Sequence, residues 1–333
     1  MSGSTTEKAT PRATGTADSP LAPLPTAAGE QHDRTAADPG EPVRPKPDRR
    51  GPAADCTADS AGGLTFDLRL PAAEAQGGDA GLLLRRRPGP SGETEEVRLP
   101  LSPVQEAEPG TLRAALPSTV RLPEGRWNVF LVLAGRAPRR LSPGVNDLRS
   151  LVDRVPHATR GRLGVRIPYA TKHGNLSIRA WTRWPHAEAG ALRVSDGLLT
   201  LSGRLYGAEV ADTARLEAWP RRGETAPVVV EAAAERPDQR EFTAVLPYPP
   251  LAANRLWDLW LRPAEGAEAV RIARILDDIP DKKRIFTYPA HSVEPRTAQT
   301  PETESPTATA KPYYTLNNDL AVRIDHRNAA ARP

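Results

Sequence analysis

The chain has one cysteine, Cys56, in 333 residues. An internal disulfide is therefore excluded, and so is a zinc site built on paired cysteines. Long apolar runs are missing as well. The longest is about FLVLA (Phe130 to Ala134), far short of the roughly 20 residues a membrane-crossing helix needs. The N-terminus, MSGSTTEKATPR, lacks the apolar stretch of a secretory signal. These absences give the expectation of a cytoplasmic protein with no transmembrane segment.

The usual catalytic signatures are also missing. There is no G-x-x-x-x-G-K-[S/T] loop, no G-x-G-x-x-G turn after a strand and no G-x-S-x-G elbow. The six histidines (His32, His157, His173, His186, His291 and His326) form no H-x-x-x-H pair. The best acidic group is Asp277, Asp278 and Asp281, followed by Lys282, Lys283 and Arg284. Two of its carboxylates could hold a divalent metal, but an earlier matching segment keeps only Asp147 and Asp153 loosely, so it reads as a charged loop. We expect no catalytic residue, no metal and no cofactor. Lysine is scarce beside arginine, and acidic residues are interspersed throughout. The net charge of +4 and pI of about 9.4 therefore do not form a nucleic-acid footprint.

What the chain has in quantity is punctuation: 36 prolines and 25 glycines against 38% apolar residues. That suits compact β domains beside disordered segments better than a large helical core. Residues 1–58 show no apolar periodicity and read as a disordered tail. The stretch EPRTAQTPETESPTATA, residues 294–310, reads as a disordered loop, and residues 327–333 as a frayed end. The segments between alternate apolar and polar residues at strand period: LTFDLRL (64–70), GTLRAALP (110–117) and RWNVFLVLAG (126–135). The later half repeats them as LTLSGRL (199–205), REFTAVLP (240–247) and RLWDLWLR (255–262). This alignment sets Trp257 over Trp127 and Asp258 over Asn128. Both tryptophans read as core pins, with Trp260 on the opposite strand face from Trp257.

Each half closes on the same pattern, P-Y-x-T-x-x-x-[N/D]-L-x-[I/V]-R: PYATKHGNLSIR at 168–179 and PYYTLNNDLAVR at 312–323. The expected fold is all-β: after the tail, two tandem immunoglobulin- or fibronectin-like β-sandwich domains, residues 59–185 and 186–326. The pattern predicts a hairpin corner. The Asn or Asp caps the turn, Gly174 takes positive φ, and Arg179 and Arg323 face water. A second reading makes Tyr169, Thr171, Asn175 and Arg179, with Tyr313, Thr315, Asp319 and Arg323, polar patches for a sugar or phosphate, which an arginine fork suits.

The blocks WDLWLRP, RIARILDDIPDKKRIFTYP and PYYTLNNDLAVR resemble an actinobacterial tandem β-domain family that carries the general label transferase. The resemblance spans roughly residues 56–325. The family is similar to the β-rich domains appended to cell-surface glycopolymer glycosyltransferases and CDP-glycerol glycerophosphotransferases. It implies a non-catalytic accessory or binding module, with a polymer-synthesising glycosyltransferase, another protein of that synthesis, a carbohydrate or a polyol phosphate as partner. The alternative it leaves is a transferase with an unrecognised site, because the catalytic domain of those enzymes has no counterpart in these motifs.

Overall fold

The computed structural model describes residues 51–326, apart from 76–78, 90–91, 93, 106, 153, 155, 157–162, 236–238 and 295–307. The expected tail up to residue 50, most of the expected loop and the end at 327–333 lie outside the described residues. The fold is mostly β. Among the described residues no helix is long and apolar enough to cross a membrane.

The first half contains β1 (Ala53–Ala58), β2 (Leu64–Arg69), β3 (Gly81–Arg86), β4 (Glu96–Pro100), β5 (Ser102–Pro103), β6 (Thr111–Leu116), β7 (Gly125–Val132), β8 (Arg139–Arg140), β9 (Ser142–Asp147), β10 (Leu163–Ala170) and β11 (Leu176–Arg183). One sheet runs β5-β6-β2-β1-β9 and the other β10-β11-β7-β3-β4, with β8 pairing on β7. The second half contains β12 (His186–Ser195), β13 (Leu198–Tyr206), β14 (Arg215–Pro220), β15 (Val228–Ala234), β16 (Glu241–Pro247), β17 (Leu256–Arg262), β18 (Val270–Ala273), β19 (His291–Ser292), β20 (Ala308–Tyr314) and β21 (Leu320–His326).

The strand order recurs. β16-β13-β12-β18 follows β6-β2-β1-β9, and β20-β21-β17-β14-β15 follows β10-β11-β7-β3-β4. Even the parallel contact is kept: β1 runs parallel to β9 and β12 parallel to β18. The halves differ at their sheet edges. In the second half β15 pairs with β16 and β18 with β17, so seven strands close into a barrel-like ring.

Each half has its own apolar cluster. The first gathers Phe66, Trp127, Val129, Ile178 and Trp181, and takes in Ala273 and Ile275 from the later chain. The second gathers Phe242, Trp257, Leu259, Tyr314 and Val322. Trp127 and Trp257 are fully buried, and their indole N–H groups donate to Pro123 O at 3.1 Å and Leu251 O at 2.8 Å.

Two sequence boundaries need correction. Residues 53–58, placed in the tail, form β1 inside the first core, with Ala54, Cys56 and Ala58 inward. Small inward residues gave AADCTA the composition of a linker while its alternation was that of a strand. Residues 308–310, placed in the loop, open β20.

Burial, aided by Asp55 and Asp67, pushes the Cys56 thiol up to about 12. A thiol reagent at about pH 8 should therefore leave the native protein unlabelled and react only on unfolding. Labelling at the rate of a free cysteine would put β1 back in the tail. Replacing Trp127 or Trp257 by Ala should lower stability by about 3–5 kcal/mol. A loss below about 1 kcal/mol at both, measured by denaturant melts, would contradict their burial.

Candidate functional site

The two closing motifs fold alike. In the first, Gly174 N donates to Thr171 O at 2.9 Å and Thr171 N to Asn175 O at 2.9 Å. In the second, Asn318 N donates to Thr315 O at 3.0 Å and Thr315 N to Asp319 O at 2.8 Å. This is a type I turn followed by a residue at positive φ: 72° at Gly174 and 61° at Asn318. The cap is the threonine rather than the Asn or Asp that the sequence suggested. Thr171 Oγ1 accepts from Asn175 N and Thr315 Oγ1 from Asp319 N, both at 3.2 Å.

Their surroundings differ. The second turn is clamped against β11. Arg179 donates Nη2 to Leu316 O and to Asn317 Oδ1, and Trp181 Nε1 donates to Asn317 O at 3.0 Å. Arg183 pairs with Asp319 at 2.8 Å. The expectation that Arg179 faces water is therefore wrong. It is 4% exposed because a turn 137 residues away covers its face of the strand. Burial first, then Arg126, brings its guanidinium down to about 10. Arg323 does remain exposed, beside Asp325 at 2.7 Å.

The first turn borders a cleft of about 760 Å³. Tyr169, Thr171, Asn175 and Arg179 all line it, and so do Arg87, Arg126, Asn128, Arg140, Lys172 and Arg284, with Asp281 the single carboxylate among the lining residues. Sheet pairing explains the convergence. Asn128 lies opposite Ser177, and Arg126 opposite Arg179. Arg140 lies opposite Phe130, its guanidinium carbon 4.9 Å from the ring centroid. Arg87 donates Nε to Asn128 Oδ1 at 2.9 Å and Nη2 to Ser177 Oγ at 3.3 Å. Arg140 donates Nη2 to Leu176 O at 3.0 Å and Ser177 Oγ at 3.2 Å, while its Nη1 is buried without a hydrogen-bond partner. Arg179 Nε is likewise buried and unpartnered. Burial first, then neighbouring Arg87, lowers the Arg140 guanidinium below its usual range. Like charges placed opposite each other in a sheet repel. Among the described lining residues Asp281 pairs with Arg284 at 3.6 Å, which leaves Arg87, Arg126, Arg140, Arg179 and Lys172 without a carboxylate in the cleft wall.

Tyr313, Thr315 and Asp319 line a second cleft of about 640 Å³, with Arg183, Arg221, Asp258, Trp260, Arg271 and Lys283; Arg323 does not line it. The sequence motif thus marked one wall of each cleft. It missed Arg126 on β7, Arg140 on β8 and Arg87 just past the end of β3. The signal nearest to them was the Asn128 and Asp258 match.

Neither a protein-family model nor a curated protein sequence matches the chain. Among solved structures, Staphylococcus aureus TarS residues 217–571 match at 14% identity and a TM-score of 0.27, over 59% of this chain and 55% of that one. A longer S. aureus TarS structure matches at 13% identity and a TM-score of 0.27, over 62% of this chain and 38% of that one. The chain thus spans about half or less of each TarS structure.

Arg179→Ala should lower stability by about 2–3 kcal/mol, since it removes charge-assisted bonds to the docked turn and leaves a buried strand position unfilled. Arg323→Ala should change it by no more than about 0.5 kcal/mol. Thermal melts that rank the two variants equally would contradict the clamped turn.

Proposed function

We propose that the chain is a non-catalytic module that binds phosphate-bearing polyol polymers, built on two immunoglobulin-like β domains and working beside the cytoplasmic enzymes that make cell-surface glycopolymers. The observation that carries the reading is the first cleft: five arginines and a lysine line it against one carboxylate. Guanidinium forks match phosphate oxygens in pairs. The apolar rim, Ile279, Pro280, Ile285 and Leu316, suits the carbon backbone of a polyol. The motif resemblance to domains appended to polymer-building transferases supplies the biological setting.

Calorimetric titration of the full chain with glycerol phosphate oligomers should give a dissociation constant tighter than about 1 mM. The affinity should weaken as salt rises, as it does for exposed charge contacts. Arg126→Gln or Arg140→Gln should weaken binding about tenfold or more while the protein still melts cooperatively. Uncharged glycerol or glucose oligomers that bind as well as the phosphate ones would sink the anion reading.

A further inference from the structure

The second cleft is the first one rebuilt at equivalent positions. Asp258 lies opposite Ala321 as Asn128 lies opposite Ser177, and Trp257 opposite Val322 as Trp127 opposite Ile178. Arg221 N donates to Leu256 O at 2.9 Å, and Arg87 N to Arg126 O at 2.8 Å, so these two arginines leave their strands at the same point. Arg271 lies opposite Trp260 as Arg140 lies opposite Phe130. The guanidinium-to-ring distances are 5.1 Å and 4.9 Å. Two arginines therefore flank one central side chain in both copies.

That side chain differs by one functional group. In the second copy it is a carboxylate. Asp258 Oδ1 accepts from Arg221 Nη2 and from Arg271 Nη2, the latter at 2.7 Å. The Arg221 guanidinium is raised above its usual range, by Asp258 first. Asp258 is itself lowered: burial opposes this, but hydrogen bonds and charge from the two arginines outweigh it. In the first copy the side chain is a neutral amide. Asn128 Oδ1 accepts from Arg87 Nε and from Ser177 Oγ at 3.3 Å, and Arg140 reaches that Ser177 hydroxyl rather than Asn128 itself, so no carboxylate meets either arginine there. Arg140 Nη1 and its counterpart Arg271 Nη1 are both buried without a hydrogen-bond partner. The amide reproduces the shape of the carboxylate and omits its charge.

We propose that this position is the specificity switch of a duplicated oxyanion clamp. In the second copy Asp258 supplies the anion from within the chain and closes the clamp to ligands. In the first copy Asn128 leaves one negative charge to be supplied from outside, by a phosphate or a similar oxyanion. The proposal rests on the anion-binding reading of the first cleft and adds which residue opens a cleft and which closes it. It also assigns the second cleft a latent site of the same ligand class.

Reciprocal exchange tests it, with inorganic phosphate and glycerol 3-phosphate as probes and calorimetric stoichiometry as the readout. The wild type should bind one anion. Asn128→Asp should lose that binding by about tenfold or more and melt at a higher temperature, because the Arg87 and Arg140 charges are now compensated. Asp258→Asn should melt lower and bind a second anion, with phosphate restoring part of the lost melting temperature. The double exchange should bind one anion again, and Arg221→Gln rather than Arg87→Gln should remove it. If Asp258→Asn does not fold, Asn128→Asp alone decides. Unchanged affinity in Asn128→Asp, or a folded Asp258→Asn with one site only, would overturn the switch. A wild type that binds neither probe nor any phosphate oligomer would instead remove the reading beneath it.

Discussion

The turn from Thr315 to Asp319 is held from several sides, and the arrangement of the clefts depends on that grip. Arg179 and Trp181 of β11 donate to the Leu316 and Asn317 carbonyls, and Arg183 pairs with Asp319. From the other side Asn318 Oδ1 accepts Lys282 N at 3.1 Å, and Asn318 O accepts Arg274 N at 3.0 Å. Lys282, fully buried, donates Nζ to Asp277 and to Ile279 O. This explains why the positive-φ position is glycine in the first turn and asparagine in the second. Asparagine tolerates the left-handed conformation and adds a side-chain acceptor. The free turn needs only the conformation, whereas the docked turn needs the acceptor to fix the short helix Lys282–Ile285. That segment and Leu316 then form one wall of the first cleft, and Leu316 lines the second cleft too.

A duplicated frame with altered charge follows from there. Backbone pairing, the buried tryptophans and the arginines flanking residues 128 and 258 are common to both copies. Asp258 pairs with Arg221 and Arg271 in a part-buried position, so each charge there is compensated from within the chain. A copy that carries its own carboxylate is therefore the more stable design. The first copy forgoes that stabilisation and places Arg126 opposite Arg179 as well. A departure from the stable solution at one place in an otherwise consistent fold is the pattern expected of a binding site.

Much of the frame was legible before the structure. The alternation in LTFDLRL and RWNVFLV gave strands, and block order matched the recurring strand order, because side-chain period and turn chemistry are local. The closure of seven strands of the second half into a barrel-like ring was not legible, because it depends on edge pairings between distant strands. β1 was missed because Ala54, Cys56 and Ala58 make a strand face without bulky apolar residues. Arg179 was misplaced for a different reason. Strand parity says which face a side chain takes but not what covers that face, and its cover comes from Leu316 and Asn317. The site was half legible. The motif supplied Tyr169, Thr171 and Asn175, whereas Arg87, Arg126 and Arg140 meet them only through strand pairing. The one-atom contrast between Asn128 and Asp258 was visible in the alignment. Its meaning needed the arginines on either side.

The most direct measurement is a crystal structure of the full chain soaked with tungstate, a heavy oxyanion whose anomalous signal locates it without ambiguity. The account predicts a tungstate in the first cleft, in contact with Arg140 and Arg87, and none between Arg221 and Arg271, where Asp258 stands. Tungstate absent from the first cleft, or bound equally in both, would contradict it.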